Sequence, residues 1–503
     1  MTANEYLFFK ALNCTKYLSL NKSNSELLKK TVKTGLEHNL SGENKVKELA
    51  EKLFPNGCSV DRDLNIKEKI RQTKELIGSK TQVIYDAAFS AFDIFFTVDI
   101  LIYNGDSFEI YKVTPSLYPK DAQIKSLSFK YYCLKSLGYN ISKASIVHIK
   151  KDYTINGDCR AEPDEVIELN DLFMIKDYTR EAEALSLSGF FKKAVPDFQN
   201  NFSSCNAGVE IGEQCFNGDC DFKGYCFKDI PEQSIFNLYR LDTSEKLKLY
   251  REGIIDIKKV PEDFAARKNI WKVQKSNKEF IDKEIIKNFL SSLSYPLSFL
   301  DFETFSEAVP SYYKQIPYRN IPFQYSLHIL EENGSLTHKD FLFTENKDPR
   351  PDLINSLISD LPDKGTILAF NDTFEKSVIK ELVAFQPDKS SDLLSLIPRF
   401  IDLIIPFKKV GYYLPKMNGS FSLKSILPAM FPDDSELDYR NLEIQNGLLA
   451  MDGYFRIREF NRCKDSSNAC EEIEYIKNNL LKYCKLDTFA MVKILQKLTE
   501  VSG

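Results

Sequence analysis

The stretch YPLSFLDFETFSEAVP, Tyr295–Pro310, is an apolar run that reads as a buried β-strand and ends in two carboxylates, Asp301 and Glu303. Side chains alternate along a strand, so Leu297, Phe299, Asp301, Glu303 and Phe305 share one face. The two acids are then neighbours, about 7 Å apart at Cα, with no basic residue between them. Anions placed so closely repel, and a divalent cation is the usual remedy. The plainer alternative is a strand end emerging into solvent, because so short a pattern recurs by chance.

Downstream, FQYSLHIL and HKDFLF read as strands, RPDLINSLISDL as a helix, GTILAF as a strand and DTFEKSVIKELVAF as a helix. Hairpin-like strands followed by alternating helix and strand predict an α/β domain on a mixed sheet. The strand GTILAF runs into Asn371, and Glu375 falls in the first turn of the next helix. Asp372, three residues before Glu375, offers a capping box as a purely structural account of that acid. A long amphipathic helix is predicted near CEEIEYIKNNLLKYCKLDTFAMVKILQKL. Its buried stripe is Ile473, Ile476, Leu480, Cys484, Asp487, Met491 and Ile494, with an acid where an apolar residue belongs. Tyr483 lies one turn before Asp487 and projects beside it, either as a structural hydrogen bond or as part of a site.

At 503 residues the chain exceeds one ordinary core. We expect residues 1–230 to form one α/β domain, 231–293 a charged helical connector, and 294–503 a second α/β domain. The first contains a hairpin signal, TVDILIYNGDSFEIYKVT, around Asn104 and Gly105. A net charge of -5 excludes a global pull toward nucleic acid, so any such binding needs local patches. The most apolar window, AAFSAFDIFFTVDILIY, carries Asp93 and Asp99 and is too short to span a bilayer. The opening residues lack the order of a signal peptide, and eleven cysteines, an odd number, fit a reducing cytoplasm.

Within EIGEQCFNGDCDFKGYCF, Cys215, Cys220 and Cys226 are spaced so that their thiolates can converge on one metal. A fourth thiolate is wanted, and Cys205 is nearest in sequence. Cys58, Cys133, Cys159, Cys463, Cys470 and Cys484 show no ligand spacing and read as ordinary thiols.

Asp-x-Glu on a strand, an acid after a strand–Asn turn, and Tyr-x-x-x-Asp on a final helix resemble the DEDD exonucleases in their tyrosine-bearing branch, which have a ribonuclease-H-like fold. The resemblance implies a two-ion site for Mg²⁺ or Mn²⁺. It casts Asp301 as the acid bridging both ions, Glu303 and Asp487 as ligands to the first, Glu375 as lying near the second, and Tyr483 as orienting the attacking water. That family has aspartate where this chain has Glu375. FLDFETF, IPYRNIPFQYSLHI, HKDFLF, GSFSLKSILPAMFP and LEIQNGLLAMDGYF also resemble an uncharacterised bacterial domain family found behind RecB-like nuclease domains. Asn371 and Lys424 are the substrate-binding candidates, although Lys424 also reads as a solvated lysine.

FFKALNCTKYLSL, with Cys14, resembles the start of RecB-like nucleases, in which one early cysteine and three late ones hold a 4Fe-4S cluster. The resemblance implies Cys14, Cys215, Cys220 and Cys226 as ligands, with zinc as the alternative metal. It also implies a PD-(D/E)XK core. Asp99 fits the first acid, but the Glu and Lys positions fall on Lys112 and Thr114, and Lys130 stands where that family often has Gln. Glu109 faces the other side of the strand. We read the first domain as a degenerate nuclease kept for nucleic-acid binding or scaffolding, with Trp271 in RKNIWKVQKSNK as a stacking surface. The expected activity is 3′ to 5′ exonuclease cleavage of DNA or RNA at a single-stranded end, without membrane association. The rivals are a catalytically silent nucleic-acid-binding or interaction protein, and cleavage in the first domain through Asp99 and Glu109.

Overall fold

The computed structural model describes residues 3–23, 36–155, 167–204, 210–218, 220–462 and 469–503. Cys159, Cys205 and Cys463 lie outside the described residues. The chain is α/β, with mixed sheets in two compact units: residues 1–226 with 307–319, and residues 227–306 with 320–503.

The first unit opens with helices α1 (Glu5–Asn13), α2 (Thr15–Ser23) and α3 (Leu36–Glu51), followed by β1 (Cys58–Ser59) and α4 (Ile66–Gly78). Then come β2 (Val83–Ala91), β3 (Ile94–Tyr103), β4 (Phe108–Thr114), α5 (Asp121–Ser136), β5 (Ile141–Ile149), β6 (Phe173–Asp177), α6 (Thr179–Leu187) and α7 (Phe190–Ser204). The hairpin signal forms β3 and β4, and Gly105 at φ 92° takes the left-handed position its turn requires. The strands run in the order β1 to β6, with β4 and β5 parallel across the α5 crossover. Phe8, Phe129, Phe191 and Phe198 close the core under the first and last helices of this unit. Val46 and Leu49 of α3 pack with Tyr85 and Tyr111 in a second core.

The second unit comprises α8 (Asn269–Ser276), β7 (Phe280–Ile281), α9 (Lys283–Leu290), β8 (Leu297–Phe305), β9 (Ile321–Leu330), β10 (Leu336–Leu342) and α10 (Arg350–Asp360). It continues with β11 (Thr366–Ala369), α11 (Thr373–Phe385), β12 (Phe400–Asp402), β13 (Tyr412–Tyr413), α12 (Leu423–Met430), α13 (Gly447–Arg462) and α14 (Ala469–Ser502). Its main sheet has the order β10-β9-β8-β11-β12. Strands β8, β11 and β12 are parallel, and β9 is antiparallel to both its neighbours. Leu300 and Phe302 face the core built with Leu353, Leu357, Val378 and Leu382 of α10 and α11. On the other face Phe305 meets Tyr454 of α13 at 5.2 Å, and Asp301 meets Cys484 of α14. Among the described residues no helix is long and apolar enough to cross a membrane.

Two expectations are corrected. The 231–293 segment is no free connector: β7 pairs with β13, the Asp282 N–H donates to the Gly411 carbonyl, and the segment belongs to the second unit. Among its charged residues Leu238, Leu247, Ile270 and Trp271 are buried. Trp271 is therefore no stacking surface for bases: it is 2% exposed, and its Nε1–H donates to the Tyr239 carbonyl at 2.9 Å. Residues 307–319 fall in the first unit, where Ala308 and Val309 are buried and the Tyr318 hydroxyl donates to the Pro115 carbonyl.

Gly365 precedes β11 at φ 92°, and a Cβ there would lie 2.1 Å from the Pro296 carbonyl oxygen at the start of β8. Gly365→Ala is expected to destabilise the protein by about 2 kcal/mol, read as a lower denaturation midpoint for the second unit. An unchanged midpoint would show that the approach of β8 and β11 is slack.

Candidate active site

Strand β8 is where the order of the second sheet switches, with β9 on one side and the parallel β11 on the other. In open α/β sheets ligands bind beyond the carboxyl ends of the strands at such a point. Asp301 and Glu303 lie toward the carboxyl end of β8, Asn371 and Glu375 just beyond β11, and Asp402 at the end of β12. Helix α14 crosses the same face, with Tyr483 and Cys484 buried one turn before Asp487. Its register is pinned from β9: Gln324 Nε2 donates to the Leu480 carbonyl at 2.9 Å, and Thr488 Oγ1 lies 2.7 Å from Ser326 Oγ and 2.8 Å from His328 Nδ1. Ser326 stands opposite Asp301 in the β8–β9 ladder, so these bonds set Asp487 against the β8 acids.

Glu303, Glu375 and Asp487 are buried and Asp301 is half-buried. Burial pushes the Asp301 carboxyl well above its usual range, and Asp487, Glu303 and Glu375 push it further. Glu303 is raised for the same reasons, by burial and then Asp487, with Lys424 opposing. Asp487 is pushed up to about 6 by burial, against the restraint of hydrogen bonds from Tyr439 and Tyr483 and the charge of Lys424. The Tyr439 hydroxyl donates to Asp487 Oδ1 at 2.5 Å, and the two phenol rings meet edge-on at 6.2 Å. Burial and the carboxylates beside them hold both phenols protonated, as donors. Cys484 Sγ lies 3.6 Å from Asp301 Oδ2. Glu303 also faces the start of α13, where a methyl on Gly447 would sit 3.4 Å from Glu303 Oε2.

Glu375 does not form the capping box that its spacing offered. Asp372 lies in helical conformation, makes no side-chain cap and instead pairs with Lys376 at 2.5 Å. The Glu375 carboxyl turns inward, 3% exposed, and its Oε2 has no hydrogen-bond partner. Burial pushes it up to about 8, helped by Asp372 and Asp402. Asn371 takes a left-handed φ of 73°, and its N–H donates to Asp402 Oδ1 at 2.8 Å, which ties the end of β11 to the end of β12. Lys424 is not simply solvated: its Nζ donates to the Gln445 carbonyl at 2.7 Å and lies over the rings of Tyr439 and Tyr483 at 5.5 and 5.7 Å. A cavity of about 560 Å³ opens beside Lys424 and Tyr439, lined also by Pro428, Phe431, Leu437 and Gln445.

Three of these residues escaped sequence reading. Asp402 ends an apolar strand, FIDL, in the manner of Asp301, and that signal was present. Tyr439 lies outside any periodic element and had none. Cys484 was read as an ordinary thiol because a cysteine in an apolar stripe normally is one.

In the first unit Lys112 stands on β4 in register with Asp99 on β3, and Thr114 follows on the same face, accepting from Gln123 Nε2 at 2.5 Å. Burial alone would raise the Asp99 carboxyl, but Lys130, Lys47 and Lys112 override it and hold the group well below the carboxylate range. Asp86, opposite Asp99 on β2, pairs with Lys47 and Arg62, and Lys130 pairs with Glu5. Glu109 points away, accepting from Asn104 and Tyr111. The charges at Asp99 are thus met by ammonium groups.

The same unit brings Cys14 to Cys215, Cys220 and Cys226. Burial raises the Cys14 thiol, backbone N–H groups of Tyr17 and Lys16 at the start of α2 oppose this, and the Cys215 and Cys220 thiols add to the rise. Cys226 is raised by burial, lowered by Lys16 and raised again by Cys215, Cys220 and Cys14. The Tyr17 hydroxyl donates to Asp221 Oδ2 at 2.6 Å and fastens the cysteine segment to α2. Among the described residues no three of these sulfurs lie within 4.8 Å of one another.

Residues 298–422 match DUF2779, a domain of unknown function. The match takes in Asp301, Glu303 and Glu375 and stops before Tyr483 and Asp487. Over 212 residues the chain is 25% identical to the Uncharacterized protein MG366 homolog of Mycoplasma pneumoniae, covering 39% of this chain and 31% of that protein. Over 235 residues it is 23% identical to Uncharacterized protein MG366 of Mycoplasma genitalium, covering 44% of this chain and 34% of that protein. The chain thus spans about a third of the length of these relatives. No solved structure matches it.

The raised Glu375 has a sign that can be measured in metal-free protein. An unfolded glutamate titrates near its ordinary value, so the folded state holds this proton more tightly. The stability this adds is complete below about pH 4.5 and is lost as pH rises through the folded value of about 8. Glu375→Gln, which cannot ionise, should exceed the wild type in stability by a few kcal/mol at about pH 9 and match it at about pH 4, in urea unfolding with chelator present. A difference independent of pH would place Glu375 in water.

Proposed function

We propose that the second unit hydrolyses phosphodiester bonds of nucleic acid at a divalent-cation site formed by Asp301, Glu303, Asp487 and Glu375. The reading is carried by one observation: carboxyl groups that repel one another are gathered at the strand-order switch, with Lys424 as the cation that offsets them. Two divalent ions held there would stabilise the attacking and leaving oxygens of a phosphodiester. Tyr483, whose phenol is held protonated near Asp487, would orient a water. Lys424, held over two phenol rings, would offer its charge to a phosphate, and the cavity beside it carries Phe431 and Tyr439 for a base to stack on, together with Asp433, Asp434 and Asp438. The likeness to DEDD exonucleases makes the direction 3′ to 5′.

The first unit then binds or guides the strand. At Asp99, lysines occupy the places where acids would hold magnesium, which argues against cleavage there. The four gathered thiols are the ligands we assign to an iron–sulfur cluster that fastens α2 to the cysteine segment. Anaerobically purified protein should contain iron and absorb visible light, and Cys215→Ser should lose both. A stoichiometric zinc content in their place would contradict the assignment.

The activity is tested with end-labelled DNA and RNA in Mg²⁺ or Mn²⁺. Wild type should shorten one of these polymers from its 3′ end, Asp301→Asn should be slower by roughly a thousandfold or more, and Asp99→Asn should keep the wild-type rate. Equal product from wild type and Asp301→Asn would refute the reading. Tight nucleic-acid binding with no cleavage by wild type would instead make this a silent binding protein.

A further inference from the structure

The residue that fits a magnesium site least is Cys484. Its thiol is fully buried and lies 3.6 Å from Asp301 Oδ2. One donor atom each of Asp301, Glu303 and Cys484 falls within 4.8 Å of the others. Magnesium demands oxygen ligands in near-octahedral geometry and gains nothing from a thiol. Zinc takes four ligands in a tetrahedron, with bonds of about 2.3 Å to sulfur and about 2.0 Å to oxygen, which sets sulfur about 3.5 Å from oxygen. The observed separation is that of such an edge.

A second observation points to a ligand. Glu303 is 7% exposed, yet its carboxyl accepts no hydrogen bond among the described residues. The Asp301 carboxyl meets no donor there other than the Cys484 thiol. Two carboxyl groups and a thiol thus face one small space with almost no hydrogen bonding of their own. Buried polar groups are normally satisfied, so an arrangement of this kind wants an occupant. Lys424, the nearby cation, is held by Gln445 and the two phenol rings.

We propose that Asp301, Glu303 and Cys484 form a thiophilic divalent-cation site that takes zinc in preference to magnesium, leaving its fourth position open. On binding, the thiol proton passes to solvent and a sulfur–zinc bond forms, with no change of oxidation state. Zinc there occupies the two carboxylates that a magnesium pair would use, so it arrests cleavage. That consequence, though not the site itself, rests on the function proposed above. The protein would then answer to the balance of zinc and magnesium around it.

The test uses the full chain titrated with Co²⁺, which reports sulfur ligation through a near-ultraviolet thiolate-to-metal band. Wild type should show one more thiolate-bound cobalt than Cys484→Ser, and the same difference against Asp301→Asn; far-ultraviolet circular dichroism verifies the fold of each variant, with Cys484→Ala as the substitute if serine unfolds the helix. The difference spectrum cancels any contribution from the other cysteines. Identical cobalt spectra for wild type and Cys484→Ser would overturn the site. In a cleavage assay, with each protein scaled to its own magnesium rate, the zinc concentration for half inhibition should rise at least tenfold in Cys484→Ser. An unchanged value would overturn the regulatory consequence. A cobalt difference in a protein that cuts neither polymer would uphold the site and sink the nuclease reading instead.

Discussion

Mutual repulsion among carboxyl groups packed where β8 meets α14 is the constraint around which the second unit is arranged. Burial raises the proton affinity of Asp301, Glu303 and Asp487, Asp487 raises that of both β8 acids further, and Glu303 adds to the rise at Asp301. Such a cluster persists in two forms, protonated or cation-bound, because bare charges in that setting cost too much. The surrounding structure is consistent with holding it open. The Tyr439 phenol donates to Asp487 without neutralising it, Tyr483 lies one turn away with Lys424 over both rings, and Gln324, Ser326 and His328 fix the helix that carries Asp487. A helix held only by apolar contacts could slide or turn away from β8. These polar bonds fix its register and rotation.

The two units meet the same electrostatic problem in opposite ways. Around Asp99, three lysines take up the negative charge, and the carboxylate is comfortable as an anion. Around Asp301 the neighbours are mostly further acids, and the carboxyl is uncomfortable as an anion. A site already satisfied by its own side chains has no use for a metal, whereas one left in deficit does. On this ground the second unit, rather than the first, is the one whose acids leave room for a cation.

Much of this was legible in the sequence where periodicity carried the signal. Strand β8 spans Leu297–Phe305 as the alternation of its side chains required, and the stripe of α14 buries Asp487 and Cys484 as its spacing implied. Glu375 was ambiguous, since a capping box and an inward carboxyl share the same spacing; the pairing of Asp372 with Lys376 decided between them, and no local pattern reports that. Tyr439 reaches Asp487 from 48 residues earlier in the chain, beyond any local signal. The basic residues Lys268 and Arg267 that flank Trp271 in sequence also lie over its ring, but Phe264 and the Tyr239 carbonyl bury the indole, and no local pattern reports that. The placement of residues 307–319 in the first unit likewise depends on long-range packing of Ala308 and Val309.

The central claim is that the acids at β8 and α14 bind divalent cations. The most direct measurement is an anomalous difference map from crystals equilibrated with Mn²⁺ and phased independently of the metal. The account predicts manganese within about 2.2 Å of an Asp301 carboxylate oxygen, with Glu303 and Asp487 in the same coordination shell. A map without a peak there, in which the three carboxyl groups are hydrogen-bonded to one another as neutral acids, would contradict it.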